Sequence, residues 1–293
     1  MGGEKPSNTP STVLGRQLGD ELRTMREHAG LTTADVASGL DCTKGKISRI
    51  ENGRTPVRSP DLAAMLRLYA VDDPATTARL TELARAANKR RRTGWWNEYG
   101  DVLADTYRDF IALEAVASSV RTFQSQTVPA LLQTRDYARA LSVASRRWKQ
   151  PEEIEQFVSV RLTRQNRLTE DDPLSVWAVL AEGALRQQVG GPSVMRDQLD
   201  HLARMAAKPN VTVQVVPFRV GAHASMAGPY VLLGFPSDTA LDVVLVDNPS
   251  GSMWLERAPE VEVYVDLWND VRTKALSPVE SLELINSIKE CGT

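Results

Sequence analysis

The sequence predicts an all-α domain of five short helices followed by a larger, mixed α+β domain, and three observations carry that division. Apolar residues recur at helical spacing from Leu14 to about Asn88, interrupted by stop and cap signals. Runs of β character begin only near Leu174 and alternate with further helical patterns. Charge divides at the same place: residues 1–92 hold 16 Lys and Arg against 11 Asp and Glu, and the remaining 201 hold 19 against 26. A chain of 293 residues has two domains as its natural expectation.

Residues 1–13 are small, polar and proline-bearing, and are expected to form a disordered tail. The domain expected over 14–88 starts with a helix from Leu14 to about His28, where Leu14, Leu18, Leu22 and Met25 share a face and Gly30 stops the run. Thr32 or Thr33 caps a second helix, with Asp35 in its positive first turn, ending near Gly39. A third runs from about Thr43 to Glu51 and closes on Asn52-Gly53. Pro60 starts a fourth and Pro74 a fifth. Residues 89–107 change character: the run Lys89-Arg90-Arg91-Arg92, then Trp95, Trp96 and Tyr99, read as a basic and aromatic linker.

The second domain is expected over 108–293. Helical patterns cover about 107–121, 129–146 and 151–169, and strands are expected at Leu174–Leu180, Val211–Phe218, Tyr230–Phe235, Asp242–Asp247 and Ser252–Arg257. A helix at Pro192–Ala207 separates the first two strands, and two more close the chain, from Pro259 and from Ser277-Pro278.

Several function classes find no support. No apolar run approaches the roughly 18 residues of a membrane helix, and the first thirty residues lack the order of a signal peptide, so a cytoplasmic protein is expected. Cys42 and Cys291 are far apart and the three histidines are scattered, which speaks against a metal site. No Gly-rich phosphate loop or nucleophile elbow is present, and no catalytic constellation or cofactor is expected. His223 and Ser225 sit in a loop between expected strands, the kind of place where binding residues collect, and are the candidate ligand or partner contacts.

The segment Thr33–Asn52 carries the functional signal. Two helices crossing steeply through a tight turn need a small residue at their contact, met by Ala37. They need apolar residues facing the bundle, met by Val36, Leu40, Cys42, Ile47 and Ile50. They also need a turn residue that accepts a left-handed backbone, met by Asp41. This is a helix-turn-helix. With Ile47 and Ile50 inward, Thr43, Lys44, Gly45, Ser48 and Arg49 face outward at the start of the third helix, the part such modules insert into the major groove of double-stranded DNA. Lys44 and Arg49 suit guanine O6 and N7, and Gly45 leaves room for close backbone approach or a base methyl. Thr33, Asn52 and Arg54 lie at helix ends and suit phosphates, with Arg16 and Lys46 as further phosphate candidates. The bland alternative pairs Arg49 with Glu51 or another local carboxylate. Five basic residues against one acidic over Thr43–Arg58 favour DNA.

Leu31-Thr32, Val36-Ala37 and Ile47-Ser48-Arg49-Ile50-Glu51-Asn52-Gly53 give residues 14–88 a resemblance to the lambda-repressor-like, xenobiotic-response-element family. That resemblance implies a five-helix domain binding a pseudo-palindromic site as a homodimer. It departs from the family at Asp41, where glycine is usual, and at Gly45, where a longer polar residue is common. Residues 94–290 resemble the C-terminal domain of actinobacterial antitoxin-like (WhiJ-like) regulators. The matching residues are Gly94-Trp95-Trp96, Leu113-Glu114, the segment Val128–Arg139 and the segment Ala275–Ser281. This implies a repressor controlled by a small acidic partner protein encoded nearby, with no catalytic residues. An antitoxin-like adaptor that mainly sequesters such a partner is the alternative.

Overall fold

The computed structural model describes residues 13–53, 55–92, 95–99, 102–235, 242–248, 251–255 and 257–291. The chain divides into two compact units, one ending at Asn97 and one starting at Glu98. Of the expected tail, residues 1–12 lie outside the described residues, and Val13 already begins the first helix.

The N-terminal unit is all-α: α1 Val13–His28, α2 Thr33–Gly39, α3 Lys44–Glu51, α4 Ser59–Leu68 and α5 Pro74–Arg92. Local chemistry sets their ends. Gly30 takes φ +70° after α1, a conformation open to glycine at little cost. Thr32 and Asp35 form a reciprocal capping box on α2, the Asp35 amide donating to the Thr32 hydroxyl at 3.3 Å and the Thr32 amide to the Asp35 carboxylate at 2.7 Å. Gly53 (φ +64°) follows α3. α5 continues four residues beyond the expected Asn88, so the Lys89–Arg92 backbone is helix rather than linker. Lys and Arg are good helix formers, and no glycine or proline intervenes before Gly94. After it Trp95–Tyr99 form a short 3-10 turn, with Trp95 and Trp96 edge-to-face at 5.8 Å.

One core joins the five helices: Leu18 and Leu22 of α1, Val36 and Ala37 of α2, Ile47 and Ile50 of α3, Leu62, Met65 and Leu66 of α4, and Leu80 and Ala84 of α5. Leu40 and Cys42 pack against it half-buried. Two further devices seat α3 on α1. Gly19 meets the end of α3 backbone to backbone, and a Cβ there would collide with the Glu51 carbonyl oxygen. The Arg26 guanidinium grips the buried Glu51 carboxylate through Nε at 2.7 Å and Nη2 at 3.1 Å. The bland pairing of Arg49 with Glu51 is therefore corrected: Glu51 points inward to α1, because residues two apart on a helix do not share a face.

The C-terminal unit is a six-stranded mixed sheet between helices. Its elements are α6 Asp105–Glu114, β1 Ser119–Gln124, α7 Arg135–Ala144, α8 Pro151–Arg164, β2 Ser175–Ala181, α9 Glu182–Arg186 and α10 Pro192–Ala206. They continue with β3 Val211–Val216, β4 Tyr230–Gly234, β5 Val243–Asn248, β6 Gly251–Leu255, α11 Ala258–Lys274 and α12 Pro278–Cys291. The strand order is β3-β2-β1-β4-β5-β6, with β1, β2 and β3 parallel and β4, β5 and β6 successively antiparallel. Five strands lie where the sequence places them. The sixth, β1, replaces the last part of the helix expected over 107–121. Val116, Val120 and Phe123 fit helical spacing, but pairing with β2 on one side and β4 on the other decides the conformation.

α11 covers one sheet face, with Val261, Trp268 and Val271 packed on Phe123, Val179, Leu232 and Val244. The open edge of β3 is closed by the segment before α12 and that helix's first turn: the Leu276 amide donates to the Val215 carbonyl and the Val215 amide to the Ser281 hydroxyl, both at 2.9 Å.

Candidate nucleic-acid interface

The turn between α2 and α3 runs through Asp41 at φ +48°, the left-handed conformation its position requires. Thr43 then caps α3, its hydroxyl accepting from the Lys46 amide at 3.2 Å. The helix divides as its spacing demands: Ile47, Ile50 and Glu51 are buried, while Thr43, Lys44, Gly45, Ser48 and Arg49 are exposed.

Charge on that exposed face is largely uncommitted. Neither Lys44 nor Arg49 makes an ion pair with any described residue. The Arg49 guanidinium leans back along the helix, so that a Cβ on Gly45 would lie 3.5 Å from its Nη1. That is ordinary contact with the end of a flexible side chain, so the space itself does not demand glycine at 45. Asp35, whose carboxylate feels the Lys44 charge, is already bonded to Thr32. Those hydrogen bonds, more than Lys44, hold its carboxyl below the usual range.

The phosphate candidates divide. Lys46 bends away to Asp61 of α4 at 2.9 Å, and Arg58 reaches the same carboxylate at 3.3 Å. Burial works to raise Asp61, but hydrogen bonds from these two cations outweigh it and hold the carboxyl low. Lys46 is thus first of all a brace between α3 and α4. Asn52 is exposed, donating from Nδ2 to the Ser48 carbonyl at 2.7 Å and accepting from Arg23 Nη2 at 3.1 Å. Thr33 is half-exposed at the start of α2. Arg54 and the Arg16 side chain lie outside the described residues. Arg23 was missed by the sequence reading: it belongs to α1, and only the fold brings it beside Asn52. Its polar position opposite Leu22 and Met25 was the available signal.

The loop candidates fare differently. Ser225 is buried, its hydroxyl sharing a hydrogen bond with the Tyr230 hydroxyl at 2.8 Å and donating to the Leu267 carbonyl at 3.2 Å. His223 rests edge-on against Phe123 at 5.3 Å, and burial pushes its imidazole pKa down. The Ala224 amide ties the same loop to Asp270 of α11 at 3.0 Å. Ser225 is thus enclosed in the packing of α11 and not offered as a surface contact, and its loop is pinned to that helix.

Among the described residues no helix is long and apolar enough to cross a membrane. Residues 17–92 match the family model of a helix-turn-helix domain, and residues 107–287 match that of a domain of unknown function, DUF5753. No curated protein and no solved structure matches the chain. The helix-turn-helix match points to a DNA-binding regulator.

Proposed function

Because the chain belongs to the DUF5753 family and carries a helix-turn-helix domain ahead of that region, we propose that it is a sequence-specific transcriptional repressor whose C-terminal domain adjusts its hold on DNA. The observation that carries this reading is the division of α3: isoleucines indoors, and Lys44, Ser48 and Arg49 outdoors with both cations free of ion pairs among the described residues. Arg49 and Lys44 donate to guanine O6 and N7, and Ser48 reaches a neighbouring base edge. Thr43 and Gly45 let the start of the helix approach the groove floor. Thr33 and Asn52, with Arg23 beside the latter, hold flanking phosphates.

One α3 offers few base contacts, so two copies on half-sites one helical turn apart supply the specificity of an operator, and the protein acts as a homodimer. Occupancy of such an operator blocks transcription. The signal enters through residues 108–293. The resemblance of Val128–Arg139 and Ala275–Ser281 to antitoxin-like regulators supports a small partner protein or ligand as its source.

The test is selection of bound sequences from a randomised duplex pool by the full chain. Enrichment of a two-fold-related site is expected, and no enrichment contradicts the reading. On the selected site Arg49→Ala costs about 1–3 kcal/mol and relaxes base preference at one position of each half-site. Competition binding measures this, and full retention of specificity removes Arg49 from the readout.

A further inference from the structure

Opposite α11, the other sheet face and helices α6 and α8 line an open cavity of about 340 Å³. Its wall is mixed: Val120 of β1, Val231 of β4, Leu245 of β5 and Phe110 of α6 form an apolar side, beside the polar Thr122 and Gln124 of β1. Two arginines one turn apart on α8 reach into it, and they differ in one respect. Arg164 is matched: Nε and Nη2 donate to Glu114 at 2.7 and 2.6 Å, and Nη1 to the Tyr107 hydroxyl at 2.6 Å.

Arg161 has no carboxylate among the described residues. Nη1 donates to the neutral Gln133 side chain at 2.5 Å, the guanidinium stands 4.9 Å from the Phe157 ring centroid, and the buried Nε makes no hydrogen bond. Burial pushes its pKa down, and the neighbouring charge of Arg164 adds to that. The remaining carboxylate on the wall, Asp247 at the end of β5, is exposed and accepts from the Ser252 hydroxyl at 2.5 Å. Arg161 is half-buried with its Nε enclosed; a desolvated cation left without a counter-ion is costly, and native proteins keep one where something else completes it.

We propose that this cavity binds a small organic monoanion, a carboxylate on an apolar body, with Arg161 as its counter-ion. The guanidinium fork matches a carboxylate in two parallel hydrogen bonds. A single unmatched positive charge calls for a single negative one, and the apolar side of the wall calls for a hydrocarbon or aromatic body. The volume lies at the small end of the roughly 300–1,000 Å³ typical of ligand pockets. Binding follows from the cavity alone; its meaning as a signal rests on the proposal that the C-terminal domain adjusts DNA binding.

The experiment is calorimetric titration of the full chain with benzoate, phenylacetate and octanoate, each beside its neutral amide, and the same titrations of Arg161→Met. At least one acid is expected to bind, with its amide about tenfold weaker or worse, and Arg161→Met to lose the acid by a similar factor. Without ligand the variant melts at or above the parent temperature, because an uncompensated buried charge is gone. Failure of all three acids, amides that bind as well as acids, acid binding unchanged in the variant, or a variant that melts well below the parent would each overturn the site. A chain that binds the acid but enriches no duplex keeps the site and loses the regulator; the reverse result loses only the site.

Discussion

Glu51→Ala is expected to cost the N-terminal unit about 3–5 kcal/mol of stability, the range for removing one partner of a buried ion pair. Glu51 is 2% exposed and Arg26 8%. Their two hydrogen bonds link α1 to the last turn of α3, and Arg26 also donates to the Leu31 carbonyl at 2.8 Å. The Tyr69 ring lies in the same core, and its hydroxyl, which has no partner among the described residues, is held protonated mainly by burial and then by Glu51. Truncating Glu51 leaves the desolvated Arg26 charge with only the Leu31 carbonyl and the exposed Glu27 carboxylate, at 3.3 Å, to answer it. Glu51→Gln keeps the shape and one acceptor, so it falls less far. Hydrogen exchange on the amides of α1 and α3 in the full chain measures the loss for this unit without assuming that both units unfold together. A cost below about 1 kcal/mol would place the pair in the class of solvent-exposed bridges. Operator binding falls with stability, because α3 loses its seat.

Glu114→Ala is the second large effect, at the upper end of the same range of about 3–5 kcal/mol. Glu114 and Arg164 are 2% and 5% exposed and joined at two points, tying α6 to α8 beneath the sheet. Burial works against the Arg164 charge, and Glu114 with Tyr107 more than restores it, so its pKa stands above the ordinary value. Loss of Glu114 would leave two unmatched arginines side by side, Arg161 and Arg164. A second change, Arg164→Met, is therefore expected to recover much of the loss, since it removes the orphaned charge. Denaturant titration of the parent, the two single variants and the double variant measures the coupling. Additive losses would mean that the two groups do not depend on each other.

The helices of the N-terminal unit were legible because their information is local. Thr32 with Asp35, Gly30, Asn52-Gly53 and the prolines at 60 and 74 state each boundary within a few residues. The outward face of α3 was legible for the same reason, once Ile47 and Ile50 fixed its register. β1 was not, because its neighbours Ser175–Leu180 and Tyr230–Gly234 are remote in sequence and pairing with them outweighs a locally helical spacing. Arg23, and the bonds that Lys46 and Glu51 make, were not legible for a related reason: their partners Asn52, Asp61 and Arg26 belong to other elements. The Arg161 cavity draws on α6, β1, α8, β4 and β5 at once, and no stretch of sequence announces it.

The central claim is that Arg49 reads a base edge in the major groove. On the selected duplex, each guanine of a half-site is replaced in turn by 7-deazaguanine, which lacks the N7 acceptor, and binding is measured for the parent chain and for Arg49→Ala. At one position the parent loses about 1–2 kcal/mol while the variant, already without its donor, loses almost nothing further. Equal losses in both proteins at every position would contradict the account.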